Sequence, residues 1–326
     1  MPYSLLLNLI GLLLLTTACA SPLTERVPLS DHTAAGDRYQ GIRLLGTLRL
    51  PAADINGLKV EGLSALAWDQ DEQRLYALSD LGRLFHLKVR FDDGLLAAVE
   101  FVDAYPLQGS DGRSLGKAWT DSEGLTLLDS DDGTSGNSRL VISFETRPRL
   151  VTYTPDGRWL ANLDLPKPLN NRNFYRDGNR ALEAVTLHPD YGLLVAPERP
   201  PGNGHGEQLP IYALDGRHWS YPLYPAANSS LVAMEALPDR SLLTLERAFN
   251  GLTRPLIISL RRTRLPDSST EPLTVEDLAV FDTTQGWLLD NFEGLTRLQD
   301  RQFCMISDDN QQFLQSTLLV CFEQIR

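Results

Sequence analysis

The chain has 326 residues, 42% of them hydrophobic, and carries a formal charge of −12. That acidity excludes nucleic acid and anionic lipid surfaces as electrostatic partners. Short apolar runs punctuated by 24 Gly and 20 Pro exclude a long-helical architecture, and 3 Cys with 5 scattered His leave little for a zinc site.

At the N-terminus, Leu5 to Leu15 is apolar except for Asn8 and Gly11, too short to cross a bilayer, and residues 1–19 read as an export signal. Thr16-Thr17-Ala18-Cys19 approximates a lipoprotein cleavage box with Cys19 as the lipidated residue, while Ala18-Cys19-Ala20 fits ordinary signal cleavage. The first reading anchors the protein to the envelope in a bacterial periplasm, its only membrane contact being the lipid on Cys19. The second makes it secreted. Residues 20–41 read as a polar tether and 42–326 as one monomeric domain.

From Glu61 onward a short apolar strand is introduced five times by glutamate: Glu61-Gly62-Leu63-Ser64, Glu123-Gly124-Leu125-Thr126, Glu183-Ala184-Val185-Thr186, Glu235-Ala236-Leu237 and Glu293-Gly294-Leu295-Thr296. The steps are 62, 60, 52 and 58 residues. Each is followed by a second apolar strand ending in another acid: Asp80, Glu145, Glu198, Glu246 and Asp308. A period near 50–60 residues with several strands per unit is the signature of an all-β propeller. Dividing the chain after Ile42 by about 47 residues per blade gives six blades. The run Ile42–Leu50 before the first unit and Thr317–Phe322 after the last have no unit of their own, so they are expected to close the ring by pairing from opposite ends of the chain.

In an antiparallel hairpin the start of one strand and the end of the next share an edge. The repeat therefore sends its acids to one mouth of the channel. Carboxylates roughly 5 Å apart repel by about 3 kcal/mol at an effective dielectric near 20, so such a ring must hold cations, protons or arginine. A hard cation suits oxygen ligands, which points to Ca2+ held among Glu61, Asp80, Glu123, Glu183, Glu235, Glu293 and Asp308. The chain lacks the G-x-S-x-G, P-loop, G-x-G-x-x-G and H-E-x-x-H motifs. Hydrolysis would thus use a water activated beside the metal with a carboxylate base, for which Glu145, Glu198 and Glu246 are the candidates.

Arg147, Arg199 and Arg247 each follow a strand-end acid, and Arg180 closes the polar loop Asn170–Arg180 that leads into Glu183. They fit either of two roles, balancing charge at a crowded mouth or gripping the anionic group of a substrate. Asp- and Gly-rich spots such as Asp92-Asp93-Gly94 and Asp215-Gly216 read as hairpin turns. Cys304 and Cys321 lie opposite one another if Ser307 pairs with Leu318, giving either a cross-strand disulfide or two small buried neighbours.

Taken in order, Leu-Tyr-Ala-Leu-Ser-Asp at 75–80, Phe-Glu at 144–145, Asn-Arg-Ala-Leu-Glu-Ala at 179–184, Pro-Glu-Arg at 197–199, Leu-Glu-Arg at 245–247 and Ile-Ser-Asp-Asp-Asn at 306–310 resemble the bacterial phytase-like ("esterase-like activity of phytase") family. The resemblance spans roughly 42–323. It implies an exported propeller and calcium-dependent hydrolysis of phosphomonoesters or related esters. The glycine of the Glu-Gly-Leu motif is lost at Ala184 and Ala236, which puts close approach of a ligand in doubt on those blades. Two other functions are compatible with the same residues. A calcium-dependent lactonase acting on a neutral sugar lactone would suit the net charge, and a non-enzymatic envelope platform would use calcium structurally.

Overall fold

A computed structural model describes residues 24–175, 181–202, 208–251, 254–312 and 315–325. The expected export signal, Cys19 and Arg180 fall outside those residues.

Four blades are four-stranded antiparallel sheets whose strands follow one another in the chain. Blade 1 contains Leu63–Asp69, Arg74–Ser79, Arg83–Asp92 and Leu95–Pro106. Blade 2 contains Ser122–Leu128, Arg139–Phe144, Arg149–Tyr153 and Trp159–Leu163. Blade 3 contains Leu182–His188, Gly192–Pro197, Gln208–Ala213 and His218–Pro222. Blade 4 contains Ser229–Ala236, Ser241–Ala248, Ile257–Arg264 and Thr274–Asp282. Blade 5 is composite: Asn291–Gln299, Gln302–Asp308 and Leu318–Gln324 are completed by Ile42–Arg49 from the other end of the chain. Leu318 lies opposite Arg49 and Gln324 opposite Ile42, so the ring is sealed as the unpaired terminal runs require.

The innermost strands neighbour one another in the order of blades 1 to 5 and back to 1, which makes a closed ring of five among the described residues. Six was an overcount. The five motif units counted blades correctly, and dividing length by a generic blade size did not, because this chain spends residues on strands of 10 and 12 residues in blade 1 and on long connections such as 107–121.

The core is correspondingly divided. One buried cluster packs blade 1 on blade 2 through Leu78, Leu84, Ile142 and Tyr153, and four others fill the remaining interfaces. Each sheet is covered on both faces, which is why its inner strands read as nearly continuous apolar runs rather than as alternation. Blade 5 carries the Cys304–Cys321 disulfide, in the register that places those residues opposite each other. Closing a loop with a sequence separation of 17 contributes about 3 kcal/mol in the chain-entropy description.

Candidate functional site: an acid-lined channel mouth

Every inner strand carries a β-bulge near its start, where two of its residues oppose one on the next strand. A bulge turns its extra residue out of the pleat. The bulged residues are Ser64, Glu123, Glu183, Val232 and Glu293 in blades 1 to 5. Neighbouring inner strands crowd here. A Cβ on Gly124 would stand 2.3 Å from the Glu183 carbonyl oxygen of blade 3, and one on Gly294 would stand 2.9 Å from the Ala65 Cα of blade 1. At Gly124 and Gly294 the glycine of the motif therefore serves blade-to-blade contact, whereas at Gly62 an added Cβ would meet the Asp80 carboxylate of its own blade.

A second ring follows from the same register. The residue opposite each pre-bulge position is Ser79, Phe144, Pro197, Glu246 and Ser307, and the one after it is Asp80, Glu145, Glu198, Arg247 and Asp308. Four blades supply an acid there, and blade 4 supplies arginine. With Asp121, two residues before Glu123, these groups line a funnel of about 390 Å³ at one mouth of the channel.

Eight carboxylates meet two guanidinium groups in this funnel. Arg247 bridges Glu293 at 3.0 Å and Glu198 at 3.4 Å. Arg199 donates to the Ser230 hydroxyl at 2.9 Å and to Asn228, with Glu198 4.0 Å away. On the other side, Asp121, Glu123 and Glu145 bring one oxygen each within 4.8 Å of the others. Asp121 is fixed by the Thr146 backbone N–H and hydroxyl, and Glu145 accepts the Ala181 N–H at 2.8 Å. Among the described residues the Glu123 and Glu183 carboxylates have no hydrogen-bond or ion-pair partner, although Glu183 is only 5% exposed.

Burial raises these acids, and neighbouring negative charge raises them further. Asp80 is pushed up to about 7 by burial and then by Asp308 and Asp121. Glu145 reaches about 8 through burial, Asp121 and Glu198, and Asp308 about 8 through burial and Glu293. Glu123 and Glu183 are driven well above the usual carboxylate range by the same two causes. Burial also raises Glu293, where Arg247 opposes the shift. Oxygen-only donors, closely spaced, buried and partly unpartnered, fit a hard cation such as calcium.

Of the residues singled out from sequence, Asp80, Glu123, Glu145, Glu183, Glu198, Arg199, Arg247, Glu293 and Asp308 border the funnel. Three acids do not. Glu61 lies three residues before the bulge of blade 1 and pairs with Arg83 at 2.9 Å. Glu235 lies three residues past the bulge of blade 4 and lines the opposite mouth, where the Arg297 backbone N–H donates to it. Glu246 points into the interface of blades 3 and 4, accepting from the Tyr221 hydroxyl at 2.5 Å, the Tyr224 N–H at 2.6 Å and Arg261 at 3.0 Å. Arg147 lies beyond the lining, its guanidinium 4.1 Å over the ring of Trp119. Asp121 is the funnel residue the motif missed; it lies two residues before Glu123, just ahead of the strand Ser122–Leu128.

The family model for phytase-like proteins, described as esterase-like activity of phytase, matches residues 58–311. Two solved propellers are structurally similar. One is described as the Dos1 propeller, with 8% identity and a TM-score of 0.35 over 80% of this chain and 68% of that one. The other is the Cps50 (Swd1) β-propeller domain of Myceliophteria thermophila, with 10% identity and a TM-score of 0.38 over 93% of this chain and 99% of that one. No curated protein sequence matches the chain.

Proposed function

The chain belongs to the phytase-like family, and from that premise we propose that it is a calcium-dependent hydrolase of phosphomonoesters or related esters, exported to the bacterial periplasm. The observation that carries the reading is the Asp121–Glu123–Glu145 cluster, with the unpartnered carboxylates of Glu123 and Glu183 facing the same funnel. Those acids would hold the ion. Calcium bound there would neutralise the crowded carboxylates and polarise the ester that reacts.

The remaining residues divide the work. Arg147 has no carboxylate partner among the described residues, and it follows Glu145 by two; with Arg199 it is assigned to the anionic group of the substrate. Glu198, at the wall of the same funnel, is assigned as the base that takes a proton from the attacking water. Arg247, held between two acids, is assigned to charge balance.

The test is turnover of a phosphomonoester, a carboxylic ester and a sugar lactone by purified protein, each with calcium and with chelator. Calcium-dependent cleavage of either ester is expected. Cleavage of the lactone alone would replace the substrate class, and no turnover on any of the three would leave a binding propeller.

A further inference from the structure

The ring of strand-end residues is acidic in four blades and basic in one, and this asymmetry has a chemical reading. Arg247 occupies in blade 4 the place that Asp80, Glu145, Glu198 and Asp308 occupy elsewhere. It spans carboxylates of two other blades, Glu198 of blade 3 and Glu293 of blade 5. Two acids 3–4 Å from one charged centre is how a cation is held in such a ring. A guanidinium stays protonated at any working pH, so this cation is permanent. The Asp121–Glu123–Glu145 side has no such group: no arginine or lysine pairs with its acids among the described residues, and buried Glu183 faces the funnel with its carboxylate unmatched.

We propose that Arg247 is a built-in replacement for a second metal ion, so that the funnel takes one divalent cation, on the side of Asp121, Glu123 and Glu145. This rests on the funnel being the calcium site proposed above. A divalent ion beside Arg247 is repelled by the guanidinium as strongly as one carboxylate at equal distance attracts it, and both nearby carboxylates are already engaged. Removing the arginine opens that place. The variant then has oxygen ligands from Glu198, Glu293 and Asp308 around an uncompensated position.

Calorimetric titration of the metal-stripped protein with calcium tests this. The wild type is expected to bind one ion, Arg247→Gln two, and Arg247→Lys one. Because loss of a buried cation can unfold the protein, a second pair of variants locates the ion without touching Arg247. Glu123→Gln is expected to weaken calcium by at least about tenfold, and Glu293→Gln to leave its affinity unchanged. Two ions on the wild type, one ion on a folded Arg247→Gln, or a loss in Glu293→Gln equal to that in Glu123→Gln would overturn the proposal. Absence of any calcium binding would remove the calcium reading along with it. One ion bound without turnover would remove the hydrolase and leave the proposal standing.

Discussion

Glu183, buried, and Glu235, partly buried, are both glutamates on inner strands, and they lie at opposite ends of the same channel. At the Glu235 end the side chain is employed. Three residues past the bulge, the Thr186 hydroxyl accepts the Ala236 N–H of blade 4, the Glu235 carboxylate accepts the Arg297 N–H of blade 5, and the Thr296 hydroxyl accepts the Trp68 N–H of blade 1. Glu235 thus does the work of a threonine, clasping one blade to the next. At the bulge itself, Glu183 and Glu123 clasp nothing. Three positions along a strand separate a structural acid from a candidate ligand, and residue type alone does not tell them apart.

That contrast between engaged and unengaged acids is open to direct attack. The largest effect is expected at Glu246, the most completely engaged of them. Glu246→Ala takes from buried Arg261 one of its two carboxylate partners, the other being Asp277 at 2.9 Å, and removes the acceptor of the Tyr224 N–H. It should cost about 3 kcal/mol of folding stability, read by urea denaturation, with calcium affinity of the folded protein unchanged. A mild loss would mean that Glu246 is less engaged than its bonds imply.

Next in size is the response of the funnel to metal and pH. Asp80, Glu145 and Asp308 titrate near 7–8 in the folded chain, against ordinary carboxylate values when unfolded. The folded state therefore binds more protons than the unfolded state between about pH 4 and 8, and metal-free stability should fall as pH rises through that window. Calcium at a hundredfold excess over its dissociation constant should restore about 2.7 kcal/mol at pH 8. Thermal melting from pH 5 to 8, in chelator and in calcium, checks both signs. Melting curves that ignore calcium would erase the distinction between the two mouths.

The smallest and sharpest comparison is between neutralised twins. Glu183→Gln removes a buried carboxyl whose ionisation its surroundings disfavour. Where the wild-type group is ionised it should raise metal-free stability by about 1 kcal/mol, and it should weaken calcium. Glu235→Gln keeps an acceptor for the Arg297 N–H and should shift melting little and calcium not at all. Equal behaviour of the two variants would show that register does not decide their roles.

What the sequence displayed clearly was whatever depends on period and alternation: the five units, the closure by terminal strands and the cross-strand position of Cys304 and Cys321. What it concealed was the bulge. In blade 1 the bulged position holds Ser64 and in blade 4 Val232, so a search for glutamate slid three residues early to Glu61 and three late to Glu235. The same slip hid Arg247 as a member of the acid ring and gave Glu246 a place it does not hold. A bulge is a backbone event with no side-chain signature of its own, whereas the spacing of Asp121 from Glu123 was visible all along.

The composite blade has a consequence for synthesis of the protein. Ile42–Arg49 emerges early, pairs locally with only the two-residue strands Glu25–Arg26 and Arg38–Tyr39 among the described residues, and finds its long neighbour in Leu318–Gln324, where the Ile325 N–H bonds to the Gly41 carbonyl. A ribosome that stops before Leu318 releases a chain with four blades able to form and one edge bare on each side of the gap. Such a product presents unpaired backbone to proteases and to other strands. The seam of the ring is therefore closed only once residues 318–324 have been made.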